Sequence, residues 1–171
     1  MHKLSVKNLV FISVIAAVYV VPVFLFSDIS FGPIQCRISE ILTVLTLFYG
    51  AAIPGLTIGC FLYNLVGLFL GKTVIFDLFF GTLATLVAAI ISYYIVRRFK
   101  NKFLICFFGP LITVISNGII VGYEITEFFE GGVNLFLNMA TVALGESLVC
   151  YGLGVPLIAL LFKNDLYKKI F

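Results

Sequence analysis

The stretch T-V-I-F-D-L-F-F-G-T-L-A-T-L-V-A-A-I-I-S-Y-Y-I-V (Thr73–Val96) carries a single charge, Asp77, about one turn from its start, and R-R-F-K-N-K (Arg97–Lys102) follows at once. An apolar run of this length crosses a bilayer as a helix, since a span needs about 20 apolar residues. A basic segment directly behind it stays on the cytoplasmic side. Asp77 therefore falls in the outer part of the membrane. The whole chain agrees with this reading: 62% of residues are hydrophobic, 11% are charged and the mean hydropathy is +1.20, whereas about a quarter of a soluble domain is charged.

Working outward, apolar runs occupy Asn8–Phe26, Ile34–Tyr49, Ile53–Leu70, Phe103–Tyr123 and Val133–Phe162. With Thr73–Val96 they predict six transmembrane helices, the second short and the last long enough to begin in an external loop. Gly, Pro and charge mark the breaks. Residues 1–171 read as one all-α bundle, a single multi-pass domain in the cell membrane. Placing both termini inside puts Lys3, Lys7, Arg97, Arg98, Lys100, Lys102, Lys163, Lys168 and Lys169 in the cytoplasm, with only Arg37 and Lys72 elsewhere. The first run follows Lys3 and Lys7 as a signal peptide would, but no small-x-small site precedes Pro22 and Asp28, so it reads as a retained helix.

Small residues recur at packing distance in Gly55/Gly59, Gly67/Gly71, Gly118/Gly122 and Ala84/Ala88, a spacing that lets helices approach closely in lipid. Ser13, Ala16 and Ala17 make a small patch on the otherwise bulky first helix. Docking of another membrane protein and simple internal packing explain that patch equally well.

A charged side chain at mid-bilayer costs about 3 kcal/mol even on gentler insertion scales. Five of the eight carboxylates nevertheless lie in or at the edge of spans, all towards the outer side: Glu40, Asp77, Glu124, Glu146 and, further out, Asp28. Arg37 and Glu40, three apart, share a helical face, either as a self-neutralising pair or as ligand contacts. Gln35, Asn64 and Asn117 add amides, with Asn117 and Glu124 on one face of the fifth span. Each could act alone as an internal hydrogen-bonding residue; together they predict an outward-facing ligand cavity fed by five helices. Carboxylates and amides suit a ligand rich in N–H donors, a cation included. Phe31, Phe76, Tyr63 and Tyr123 could offer stacking faces for a flat ring.

Enzymatic readings find little support. Gly67 to Thr73 resembles a phosphate loop but is one residue short and ends a membrane helix instead of following a strand. The single histidine, His2, sits on the tail. Cys36, Cys60, Cys106 and Cys150 are widely spaced and read as buried apolar residues. Asp28 with Asp77, the one outer Asp pair, would have to share a proton to act as an aspartyl hydrolase.

Five stretches resemble the QueT family: Phe31-Gly32-Pro33-Ile34-Gln35-Cys36-Arg37-Ile38-Ser39-Glu40, Ala51 to Cys60, Asp77 to Ala84, Asn117 to Glu124, and Leu144-Gly145-Glu146-Ser147-Leu148-Val149-Cys150-Tyr151. That family comprises queuosine-precursor substrate-binding (S) components of energy-coupling factor (ECF) transporters. The resemblance implies a six-helix bundle that is not itself an enzyme, carries no cofactor, and associates with a transmembrane coupling protein and two ATPase subunits. It implies docking through an A-x-x-x-A pattern on the first helix, for which Ser13-Val14-Ile15-Ala16-Ala17 is the nearest match. It also implies a 7-deazaguanine ligand, preQ1 or queuine. Glu146 or Glu124 would then accept from the base edge, Asn64 and Asn117 would orient it, and Glu40 or Asp77 would meet its amine. Arg37 would hold Glu40 or meet a carbonyl. Three other readings stay open: an S component for another flat vitamin, a self-sufficient proton-coupled carrier using Glu124 or Glu146, and an intramembrane hydrolase.

Overall fold

The structure, a computed structural model, describes residues 5–30, 35–128, 134–163 and 167–168, and these form helices and their connections only. Six α-helices follow in order: α1 (Val6–Ser30), α2 (Ala52–Phe69), α3 (Asp77–Tyr94), α4 (Lys102–Phe128), α5 (Leu135–Val149) and α6 (Val155–Phe162). A π-helical turn, Cys150–Gly154, carries α5 into α6. Among the described residues five stretches are long and apolar enough to cross a membrane: Val6–Phe26, Ala52–Phe69, Asp77–Arg98, Lys102–Phe128 and Leu135–Phe162.

The segment expected to be the short second span differs in kind. Ile38–Leu47 is a 3₁₀ helix of 10 residues, well beyond the usual run of about 3–4. At about 2.0 Å per residue it reaches about 20 Å, against a hydrocarbon thickness of about 30 Å. It is wedged into the bundle: Ser39, Glu40, Thr43, Val44, Thr46 and Leu47 are all buried. Since a 3₁₀ helix repeats every three residues, Arg37, Glu40, Thr43 and Thr46 fall on one line. The hydroxyl of Thr43 donates to the Glu40 carbonyl, and that of Thr46 to the Thr43 carbonyl.

Glycine sets two of the helix seams. A Cβ on Gly59 would lie 2.7 Å from Cβ of Tyr19 and 3.1 Å from Cα of Ala16, so α1 and α2 meet nearly backbone to backbone. A Cβ on Gly122 would lie 2.7 Å from Cα of Met139, which fixes α4 against α5 in the same way. Gly71 belongs to no such seam. Gly71 has φ +68° and open space around it, Lys72 N–H donates to the Gly67 carbonyl and Gly71 N–H to that of Leu68, so the pair ends α2 in a Schellman turn. α1 bends at Phe26 (φ −130°, ψ 27°), one turn beyond Pro22.

The bundle's two ends differ. At one end Arg97, Lys100 and Lys102 surround Leu47, Phe48, Phe162 and Tyr167, and the Tyr49 hydroxyl reaches Asn8 of α1. At the other, Lys72 pairs with Asp28 at 2.6 Å, and Phe76 stacks on Phe128.

Candidate functional site

Seven charged or amide side chains lie almost wholly out of solvent in the half of the bundle nearer Asp77: Arg37, Glu40, Asn64, Asp77, Asn117, Glu124 and Glu146, each no more than 3% exposed. They come from five places. The 3₁₀ segment supplies Arg37 and Glu40, α2 Asn64, α3 Asp77, α4 Asn117 and Glu124, and α5 Glu146. Gln35 is half-buried at the mouth of the same segment, where Cys36 N–H donates to the Ile29 carbonyl at the end of α1.

Arg37 is the hub. Its Nη2 stands 3.7 Å from Oδ1 of Asp77, and Glu40, Glu124 and Glu146 lie within electrostatic reach of the same guanidinium. Room for it comes from Gly81, where a Cβ would fall 2.8 Å from both Nη1 of Arg37 and Nδ2 of Asn64. Asp77 is held on its other side by the Val74 N–H, which donates to Oδ2 at 2.9 Å from the turn that leads into α3. Asn64 Nδ2 donates to the Asp77 carbonyl at 3.0 Å, while the Thr73 hydroxyl donates to the Asn64 carbonyl at 3.1 Å. These bonds tie the α2–α3 turn down around the cluster.

Glu40 is fixed differently. Its Oε1 accepts from the hydroxyls of Tyr19 on α1 and Thr85 on α3, both at 2.5 Å. One layer below, the Thr43 and Thr113 hydroxyls meet at 2.9 Å, linking the 3₁₀ helix to α4. The Cys150 thiol donates to Oε2 of Glu146 at 3.7 Å. This second tier of Tyr19, Thr43, Thr85, Thr113 and Cys150 was not anticipated from the sequence. Its one legible signal is the three-residue spacing of Arg37, Glu40, Thr43 and Thr46.

The unused polar atoms are concentrated here. Gln35 Oε1, Glu40 Oε2, Asn64 Oδ1, Asn117 Oδ1, both carboxyl oxygens of Glu124 and Oε1 of Glu146 are buried without a hydrogen-bond partner among the described residues, as are the guanidinium nitrogens of Arg37, whose contact with Asp77 is an ion pair too long for a hydrogen bond. Buried polar groups are nearly always satisfied in folded proteins, and the net cost of leaving one unmet is about 1–3 kcal/mol. All but one of the free oxygens just named belong to residues 1% exposed or less, so bulk water does not serve them. One guanidinium faces four carboxylates in a low-dielectric interior. Such a cluster offers acceptors in excess, and it is matched by N–H donors, protons or a cation.

Of the expected stacking faces, Tyr63 adjoins the cluster, buried within electrostatic reach of Arg37 and Glu146. Phe76 stacks on Phe128 at 4.0 Å, Tyr63 packs edge-on to Tyr19 at 5.8 Å, Tyr123 is 46% exposed, and Phe31 lies outside the described residues. The docking patch also splits. Ser13 and Ala17 are exposed on α1, but Ala16 is buried against Gly59 because the close α1–α2 seam needs a small residue there.

Comparison with known proteins fits this geometry. The QueT transporter family profile matches residues 9–163. Among curated proteins the chain is similar to the queuosine precursor transporter QueT of Lactococcus lactis subsp. cremoris (strain MG1363), with 32% identity over 155 residues, 85% of this chain and 87% of the relative. No solved structure matches. With five apolar helices of membrane-crossing length and a family match over nearly its whole length, the chain belongs to the QueT transporter family.

Proposed function

We propose that this chain is the substrate-binding component of an ECF-type transporter, capturing a queuosine precursor of the 7-deazaguanine type, preQ1 or queuine, from the external side. The observation that carries this reading is the buried cluster around Arg37, with its surplus of carboxylate and amide acceptors. A guanine-like edge presents several N–H donors, which pair with Glu124 or Glu146 and with the free oxygens of Asn64 and Asn117. An aminomethyl cation would be met by Glu40 or Asp77, and Arg37 or Gln35 by a ring carbonyl. Affinity then comes from exchanging unmet buried acceptors for charge-assisted hydrogen bonds.

In this reading the 3₁₀ segment with its flanking residues completes a sixth crossing of the cell membrane, and both termini face the cytoplasm, as the basic residues at one end favour. Energy is supplied by a transmembrane coupling protein and two ATPase subunits, the exposed face of α1 with Ser13 and Ala17 meeting the coupling protein. The carboxylate surplus also supports a second reading, a self-sufficient proton-coupled carrier.

Calorimetry on the purified, detergent-solubilised chain with preQ1, queuine, guanine, riboflavin and thiamine separates the possibilities. Tight binding of a deazaguanine alone supports the assignment. Binding of none of these by a folded sample removes it, and uptake by vesicles holding this chain alone favours the carrier.

A further inference from the structure

The basic end of the bundle holds a cavity of about 340 Å³ unrelated to the buried cluster. Its floor is apolar, made by Leu47 and Phe48 at the end of the 3₁₀ helix, Ile105 on α4 and Phe162 on α6. Its rim carries Arg97, Lys100 and Lys102, all exposed. Among the described residues none of these three cations has a carboxylate partner; the ion pairs there are Arg37 with Asp77 and Lys72 with Asp28. Two are held by aromatic faces instead, with Arg97 4.7 Å over the Tyr93 ring and Lys102 Nζ 5.1 Å over the Phe162 ring. A π face orients a cation without neutralising it, so the rim keeps a full positive field. The first turn of α4, starting at Lys102, adds the positive end of its dipole.

The surroundings favour an amphipathic occupant. Phe103 (72% exposed) follows Lys102 directly, and Tyr94 and Ile95 (55% each) precede Arg97. These side chains face lipid in a membrane-spanning bundle, which places the cationic rim at the level where a bilayer's polar layer begins. A soluble anion would use the rim and leave the apolar floor bare. A phospholipid uses both.

We propose that this cavity binds the phosphodiester headgroup of an anionic phospholipid, with Arg97, Lys100 and Lys102 as counter-charges and the floor of Leu47, Phe48, Ile105 and Phe162 against the upper part of an acyl chain. The site ties together the 3₁₀ helix, the α3–α4 turn, α4 and α6, so an occupied cavity steadies that end of the bundle.

The test is native mass spectrometry of the delipidated full chain titrated with phosphatidylglycerol and with phosphatidylcholine, alongside thermal unfolding. The expected result is saturable binding of one phosphatidylglycerol per chain with a raised unfolding midpoint, and much weaker binding of phosphatidylcholine. Each neutralised cation should weaken binding about fivefold, and the combination R97Q/K100Q/K102Q about a hundredfold. Lys163→Gln, an exposed charge outside the cavity lining, should leave it unchanged. Equal binding of the two lipids, retention of binding in the folded triple variant, or an equal loss in Lys163→Gln would overturn the proposal. Complete displacement of phosphatidylglycerol by millimolar inorganic phosphate would reassign the site to a soluble phosphate and overturn it as well.

Discussion

Two arginines of this chain live in opposite worlds. Arg37 is 1% exposed, with Asp77 at 3.7 Å and three further carboxylates around it; Arg97 is exposed at the bundle's end, over the ring of Tyr93. Inside, every charge must be balanced by the protein or by what it binds, because water is not there to do so. At the end, water and headgroups screen each charge, and its geometry is free to serve contact with the membrane. The difference teaches that the same residue type balances buried carboxylates in one place and presents an unpaired charge at the surface in the other, and burial decides which.

The sharpest way to break this contrast is to remove the inner arginine. Arg37→Met leaves four buried carboxylates without their counter-charge, and stripping one partner from a buried ion pair costs about 3–5 kcal/mol. We expect a large fall in the unfolding midpoint of the detergent-solubilised protein and loss of ligand binding; a midpoint within a degree of wild type would show that Arg37 is not the hub. The corresponding Arg97→Gln should leave the midpoint in neutral lipid nearly unchanged.

Gly81→Ala sharpens it. The added methyl would sit 2.8 Å from the guanidinium and from Nδ2 of Asn64, so the Arg37 tip must move while the helices stay. Overpacking of this kind costs about 1–3 kcal/mol. The expected outcome is a moderate loss of stability with at least a tenfold loss of ligand affinity by calorimetry, and unchanged affinity would place the ligand elsewhere.

Glu124→Gln should have a smaller effect on the fold and a selective one on binding. Both carboxyl oxygens of Glu124 lack a hydrogen-bond partner among the described residues, so neutralising it should leave the midpoint equal or higher. It should weaken a cationic deazaguanine about tenfold, in keeping with loss of one charge-assisted hydrogen bond. Unchanged affinity in this variant and, separately, in Glu146→Gln would dismiss both as contacts to the base.

The least effect is expected at the surface pair. The Lys72 ammonium, hydrogen-bonded to Asp28 at 2.6 Å, holds that carboxyl below its ordinary range. A lowered folded-state value means that the pair's contribution is present above the unfolded carboxylate's titration and fades as pH falls through the folded one. Asp28→Asn should therefore match wild type at low pH and differ from it only marginally at neutral pH, as read from unfolding midpoints across an acid series.

Much of the site was legible because charge in an apolar run is rare enough to stand out. Glu40, Asp77, Glu124 and Glu146 announce themselves, and the fold does bring them around Arg37. The hydroxyls of Tyr19, Thr85 and Thr113 were not legible, since Tyr and Thr barely dent a hydropathy profile and their partners lie on other helices. The form of Ile38–Leu47 was missed because the three-residue and 3.6-residue periods diverge little over so short a run. The sequence leaves Ala16 open between docking and internal packing, because small residues favour helix contacts without naming the partner; here the partner is Gly59 of the same chain. Gly71 looked like a packing residue, whereas its positive φ makes it a helix stop.

The pitch of the 3₁₀ helix has a consequence of its own. Arg37, Glu40, Thr43 and Thr46 align only because each third residue returns to the same azimuth. Rewound as an α-helix, successive members of that line would fan apart by about 60°, and the ten-residue segment would shorten by about 5 Å. The spokes that converge on α1, α3 and α4 would then point past their partners. The segment thus works as a ruler and a compass at once, and the layout of the polar centre is written in its winding as much as in its residues.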